Sequence, residues 1–425
     1  MTSDALDEAY VWIWLPGRTE PVVAGLLTRQ GRRIVFNYGR SYLAREDRIP
    51  IYLPELPLET GVIPLLPGLD MPGCIRDASP DAWGRRVIIN RKLGLKGDGA
   101  QAAELDELTY LLESGSDRIG ALDFQTSPTS YVPRQRRSPS LGELLQSAER
   151  VEKGIPLHPE LDQALQHGTS LGGARPKALV DTQEHHYIAK FSASSDLHNV
   201  VKAEFVAMRL AAEVGLSVAP VRLERALGKD VLLVDRFDRE KTDIGWTRRA
   251  MVSALTLFGM DEMMAPYASY EVLAELIRHR FAHPARDLRE LFARLVLNIL
   301  CGNTDDHARN HAAFWDGETL SLTPAYDICP QGRTGNEATQ AMLISGTNRM
   351  SRLEVCLNAA KNFLLDGYEA KEIIAAQVKT IRERWDSVCD EGEVSDTDRR
   401  LWWGRQFFNP FAFSGLEGVF NSATD

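Results

Sequence analysis

The stretch GNTDDHARN, residues 302–310, crowds two carboxylates, an imidazole and a carboxamide into one short loop: Asp305, Asp306, His307 and Asn310. Asp305 and Asn310 have the spacing D-x-x-x-x-N. A carboxylate followed at that distance by an amide oxygen suits phosphoryl transfer. The acid orients and deprotonates an attacking hydroxyl, and the amide helps to hold Mg²⁺ on the nucleotide phosphates. A further metal-binding acid then belongs on a later hairpin. The chain continues HAAFWDGETLSLTPAYDICP (311–330), which reads as two short strands around the turn DGE and ends near Asp327. A loop after a helix in which Asp and Asn simply make turns is the simpler alternative. A zinc site would want a second His or Cys at ligand spacing. His311 is four residues beyond His307, but the segment is not helical.

Something rigid must carry this loop. In LRELFARLVLNIL (288–300) the apolar residues Leu288, Leu291, Phe292, Leu295, Val296, Ile299 and Leu300 recur at i, i+3, i+4, i+7. That period predicts an amphipathic helix buried along one face, ending at Gly302.

A phosphoryl-transfer site needs three more parts upstream. A Gly-bearing loop to hold phosphates through backbone N–H groups is offered by GTSLGGARPKALV (168–180), with Gly172, Gly173, Ala174, Arg175, Pro176 and Lys177. It is not a GxxxxGK[ST] loop, and taken alone an ordinary turn fits as well. A strand lysine for the phosphates is Lys190, which ends YIAK, with Glu204 on the next helix as its partner. A lysine at a strand edge reaching for solvent is the alternative. A hinge that reads adenine through the backbone is LLVDRF (232–237).

Around these parts the chain divides as follows. Residues 1–125 form a β-rich module, with strands in 10–15 and 32–39 and Pro- and Gly-rich turns over 53–73. A helix is predicted over 79–94, capped by Ser79 with Pro80 at its first position. Residues 126–160 are a linker and connecting helix, 161–240 an ATP-binding part with strands at 186–191 and 230–240 and a helix at 200–215, and 241–425 a mostly helical part with the catalytic loop. The aromatic tail LWWGRQFFNPFAF (401–413) packs into that part. The fold class expected is α+β.

Composition narrows the classes. The chain has 425 residues, is 44% hydrophobic and carries a net charge of −10. Such an acidic chain is a poor general binder of nucleic acid. No apolar run approaches a membrane span, and MTSDALDEAY has no signal-peptide core. The five cysteines are scattered without a CxxC pair, as expected of reduced thiols in the cytoplasm.

The motifs SPDAWGRR, SLGGARPKA, YIAKF, LLVDRFDR, GNTDDHARN, LTPAYDI and NPFAF, in this order from about residue 10 to 415, resemble those of the HipA family of Ser/Thr kinases. These are the toxin halves of bacterial toxin–antitoxin pairs. The resemblance implies a protein-kinase-like fold of two lobes behind a small β-rich N-terminal subdomain. It implies transfer of the ATP γ-phosphate to a protein hydroxyl with Mg²⁺ as cofactor. Asp305 would be the catalytic base, and Asn310 and Asp327 the metal ligands. Gly172 to Lys177, Lys190, Glu204, Asp235, Arg236, Phe237, His307 and Tyr326 would line the ATP site. Ser170 matches a serine whose autophosphorylation switches the family off, since a dianion among amides meant for ATP would compete with it. Family partners are a HipB-like helix-turn-helix antitoxin, through which DNA is contacted indirectly, and a protein substrate, an aminoacyl-tRNA synthetase. The segment DIC at 327–329 departs from the DFG of protein kinases, which puts DFG-type switching in doubt. A small-molecule kinase on a related fold and a structural co-repressor remain the alternatives.

Overall fold

β-branched and aromatic residues make strands of the N-terminal segment. In β1 (Glu8–Ile13) Ala9, Val11 and Ile13 are buried. Antiparallel partners β2 (Val22–Gln30), β3 (Arg33–Tyr38) and β4 (Leu122–Gln125) complete a sheet of order β3-β2-β1-β4. A bulge between Val11 and Trp12 shifts the β1–β2 register. The computed structural model describes residues 6–93, 105–134, 139–155, 174–194, 196, 198–333 and 335–416. Ser170, Gly172 and Gly173 lie outside the described residues.

The chain forms two compact units. The first comprises Met1–His198, Glu224–Val252 and Phe314–Glu318, and the second Asn199–Leu223, Ser253–Ala313 and Thr319–Asp425.

In the first unit, α1 (Ala82–Leu93) starts later than expected. Asp81 caps it: its carbonyl accepts from Arg85 N at 2.8 Å and its Oδ1 from Gly84 N at 3.2 Å. Ser79 belongs to the preceding turn, its N–H bonded to Arg76 O. Asp caps at least as well as Ser. Arg85 grips Glu107, at the head of α2 (Glu107–Glu113), with two bonds of 2.6 and 2.8 Å. After α3 (Leu141–Glu152), a second antiparallel sheet runs through β5 (Lys177–Asp181), β6 (His186–Phe191) and, beyond β7 (Val221–Ala226) in the sequence, β8 (Lys229–Asp235). Ala178, Tyr187, Ala189, Phe191, Val231 and Leu233 turn one face of it onto Trp83 and Val87 of α1 and Leu144, Leu145, Ala148 and Val151 of α3.

The strand expected over 230–240 breaks after Asp235, and the hairpin β9 (Arg239–Thr242) and β10 (Gly245–Arg248) follows. Buried charge causes the break. Arg236 and Arg239 both pair with Asp117 and Asp238, at 2.6–3.0 Å, and none of the four side chains is more than 5% exposed.

In the second unit, α4 (Val200–Glu213) and α5 (Tyr270–Arg280) precede α6 (Pro284–Leu300), which buries all seven residues of the predicted stripe. Two short strands, β11 (Ala312–Trp315), of which Phe314 and Trp315 are counted with the first unit, and β12 (Leu320–Leu322), match the expected hairpin. Helices α7 (Leu353–Ala359), α8 (Gly367–Glu391) and α9 (Asp396–Trp402) complete it. The aromatic tail packs as expected: Trp402 is buried, Trp385 meets Trp403 and Phe407 at 4.9 and 4.8 Å, and Phe408 N bonds the last carbonyl of α6.

Candidate active site

The loop after α6 is held from several sides. Gly302 turns the chain with φ +67°, and a Cβ there would stand 2.4 Å from the Gln406 carbonyl oxygen, so only glycine fits. Asn303, almost fully buried, bonds Asn298 through both its backbone N–H and its side chain, at 2.8 and 3.0 Å. Gln340 Nε2 reaches the Asn303 carbonyl at 2.9 Å, and Ala341 N and Gln331 N bond the carbonyls of Thr304 and Gly302. The apolar helix thus ends in a polar knot whose backbone has nowhere to go.

Within this knot the two adjacent aspartates divide. Asp306 is buried beside His311 (3.0 Å) and the Tyr270 hydroxyl, which donates to it. Burial alone would raise its pKa, but His311 and these hydrogen bonds outweigh it and hold the carboxyl below the ordinary value. Asp305 faces solvent. Its pKa is pushed up by lost hydration and by the charges of Asp327 and Asp306, with His307 opposing. One aspartate is locked inside the fold and its neighbour is open to solvent.

Asp305, His307 and Asn310 are tied by their backbone. The Asp305 carbonyl accepts from His307 N at 2.9 Å and from Asn310 Nδ2 at 3.1 Å. That bond orients the Asn310 amide, with its nitrogen as the donor. His307 Nδ1 is buried without a hydrogen-bond partner among the described residues. Tyr326 OH donates to Arg309 O at 2.7 Å. Ala325 is bonded twice to the 217–219 segment, and buried Arg294 of α6 holds Thr323 O and Ser217 O. Asp327 follows with φ +57°, a conformation L-residues adopt at a cost. The second unit therefore brings Asp305, His307, Asn310, Tyr326 and Asp327 together. An anionic pair whose mutual repulsion raises a carboxyl pKa, next to an oriented amide oxygen, is a donor set that fits Mg²⁺.

In the first unit Lys177 and Lys190 are direct cross-strand partners. Arg175 pairs with Asp196 at 2.7 Å, and the Pro176 carbonyl accepts from Phe191 N. Asp235 bonds His185 at 2.9 Å, and Phe237 packs edge-on against Phe314. The Arg236 guanidinium is taken up by Asp117, Asp238 and the Arg118 carbonyl. Burial would disfavour the Asp238 carboxylate, but Arg236 and Arg239 bring its pKa down to about 2. Glu204 lies on α4 in the second unit and is buried.

Sequence reasoning missed Asp81, which bonds Lys177, and Tyr270, which bonds Asp306. It also missed the network of Asp117, Arg118, Asp123, Arg134 and Arg239. Only the density of Arg and Asp in SGSDRIGALD and DRFDRE hinted at the network.

Comparison with known proteins places the fold and the family. The fold is α+β and protein-kinase-like. It aligns with HipA in the complex of Shewanella oneidensis HipA, HipB and operator DNA, with a TM-score of 0.64 at 17% identity, covering 90% of this chain and 92% of that one. Residues 13–125 match the HipA N-terminal domain and residues 169–385 the HipA-like C-terminal domain. The chain belongs to the HipA family. Among its relatives, "Putative kinase Y4mE" of Sinorhizobium fredii is 26% identical over 345 residues, 74% of this chain and 76% of that protein. The serine/threonine-protein kinase toxin HipA of Shewanella oneidensis is 26% identical over 159 residues, 33% of this chain and 36% of that protein. No helix among the described residues is long and apolar enough to cross a membrane.

Proposed function

We propose that the protein is an ATP- and Mg²⁺-dependent serine/threonine protein kinase, the toxin half of a type II toxin–antitoxin system. The observation that carries this is the second unit's constellation: solvent-facing Asp305 with a raised pKa, tied through its carbonyl to Asn310 and electrostatically close to Asp327. Asp305 takes the proton of the attacking hydroxyl. A raised pKa makes this carboxylate a stronger proton acceptor than an ordinary aspartate. Asn310 and Asp327 would hold Mg²⁺, which neutralises charge on the transferring phosphate when bound. Lys177 and Lys190 offer two cations from one sheet face to nucleotide phosphates. Residues 235–237 serve adenine through their backbone and the Phe237 ring, since the Arg236 side chain is spent inside the fold.

The division 1–125, 126–160, 161–240 and 241–425 is kept as a division of labour: subdomain, linker, nucleotide part, catalytic part. Ser170 is proposed as the autophosphorylation site. The substrate is proposed to be an aminoacyl-tRNA synthetase, whose phosphorylation stops translation in the cytoplasm. The partner is a HipB-like antitoxin that carries the DNA contacts, supported by the HipA–HipB–operator complex that shares the fold.

The test is phosphate incorporation from γ-labelled ATP with Mg²⁺, wild type against Asp305→Asn, alone and with a panel of purified synthetases. Label on the protein or on a synthetase with wild type alone supports the kinase. No label from a folded protein that binds ATP refutes it.

A further inference from the structure

Side chains alternate across a strand. Ala178 and Ala189 face the core of α1 and α3, so their neighbours Lys177 and Lys190, paired across β5 and β6, stand together on the opposite face. Like charges directly opposite in a sheet repel. Lys177 is 3% exposed, so water relieves little of that repulsion.

The chain supplies an anion itself. Asp81 Oδ2 lies 3.4 Å from Lys177 Nζ and is also mostly buried. The two residues are 96 apart in sequence. Asp81 caps α1 with its other oxygen, and two residues on, Trp83 Nε1 donates to the Lys177 carbonyl at 3.0 Å. The start of α1 therefore holds both the charge and the backbone of this lysine.

We propose that Asp81 is the resident counter-ion of a phosphate-binding lysine pair and sets how tightly this sheet face takes a nucleotide polyphosphate. The proposal rests on the kinase reading above, in which both lysines meet phosphates. In the empty protein Asp81 neutralises Lys177. An arriving polyphosphate must share that lysine with a fixed carboxylate, which repels it. The N-terminal domain, far from the catalytic loop in sequence, thereby limits nucleotide affinity.

Asp81→Asn separates this role from the helix cap, because Asn caps as well as Asp and only the charge is lost. Full-length wild type and variant are titrated calorimetrically with ATP, ADP, AMP and adenosine in Mg²⁺ buffer. The variant should bind ATP about tenfold tighter, as expected for removing one like charge within several ångströms of the phosphates. The gain should shrink through ADP and AMP and vanish for adenosine. Adding Lys177→Gln should cancel it. Unchanged or weaker ATP binding, or an equal change for adenosine, overturns the proposal. If Asp81→Asn does not fold, Asp81→Ser, which also caps, is titrated in its place. Wild type that binds no nucleotide removes the kinase reading itself, a result distinct from a variant that binds ATP as wild type does.

Discussion

At the scale of the residue, Asp305 and Asp306 show how little sequence adjacency says about role. Both are aspartates on one loop, yet one faces solvent and the other is buried between Tyr270 and His311. We expect Asp305→Asn to abolish phosphoryl transfer while leaving the thermal midpoint within a degree or two. Asp306→Ala should instead destabilise by about 3 kcal/mol or more, because it strips a partner from a buried polar cluster; urea unfolding measures it. The pH behaviour differs in sign as well. The folded-state pKa of Asp306 lies below its unfolded value, so its contribution is present above about pH 4 and is lost as pH falls through the folded value. Asp306→Asn should flatten that acid limb of the stability profile. Asp305 has a raised pKa, so the acid limb of the rate profile should lie above the pH of an ordinary carboxylate. The spacing from Asp305 to Asn310 was legible in the sequence. Which of two neighbouring aspartates would be buried was not, because Tyr270 comes from another helix.

At the scale of the element, α6 was readable because a single period buries its whole stripe. The end of β8 was not. Apolar LLVD continues into RFDRE with no Gly or Pro to mark an end, yet the chain turns at Phe237 and Asp238, where Asp238 and the sequence-distant Asp117 hold Arg236 and Arg239 in the interior. The helix start was placed at Ser79 because Ser-Pro is a common opening, whereas the next acid made the cap. Gly302 gives the sharpest expectation at this scale. Gly302→Ala puts a methyl group onto the Gln406 carbonyl in a left-handed backbone. We expect a loss of about 2–4 kcal/mol and a larger loss of turnover than of ATP affinity, since the residues it displaces are Asp305 and Asn310. A calorimetric melt paired with ATP titration decides it.

At the scale of the whole molecule, the family domains and the compact units do not share boundaries. The HipA N-terminal domain ends at residue 125, but the first unit continues into 224–252 and 314–318. Asp117, Arg118 and Asp123 of the former are bonded to Arg236, Arg239 and Arg134 beyond it. Cutting the chain between the domains would strip Asp117 from buried Arg236 and Arg239, leaving them only Asp238, and would take Asp123 from Arg134. We therefore expect residues 126–425, expressed alone, to lack a cooperative thermal transition. A sharp melt with ATP binding from that fragment would contradict this. Sequence composition could mark residues 126–140 as a linker, but it could not show that charges on either side of that linker are partners.

The three-segment make-up of the first unit has a consequence during synthesis. Trp315 donates to the Pro50 carbonyl and stands edge-on to Tyr52, so the earliest part of the chain is finished by residues translated very late. A ribosome that has made the N-terminal sheet holds an incomplete body until Glu318 has emerged. By then the loop that carries Asp305 is already made. A truncated product that lacks this last contribution leaves its first unit unclosed.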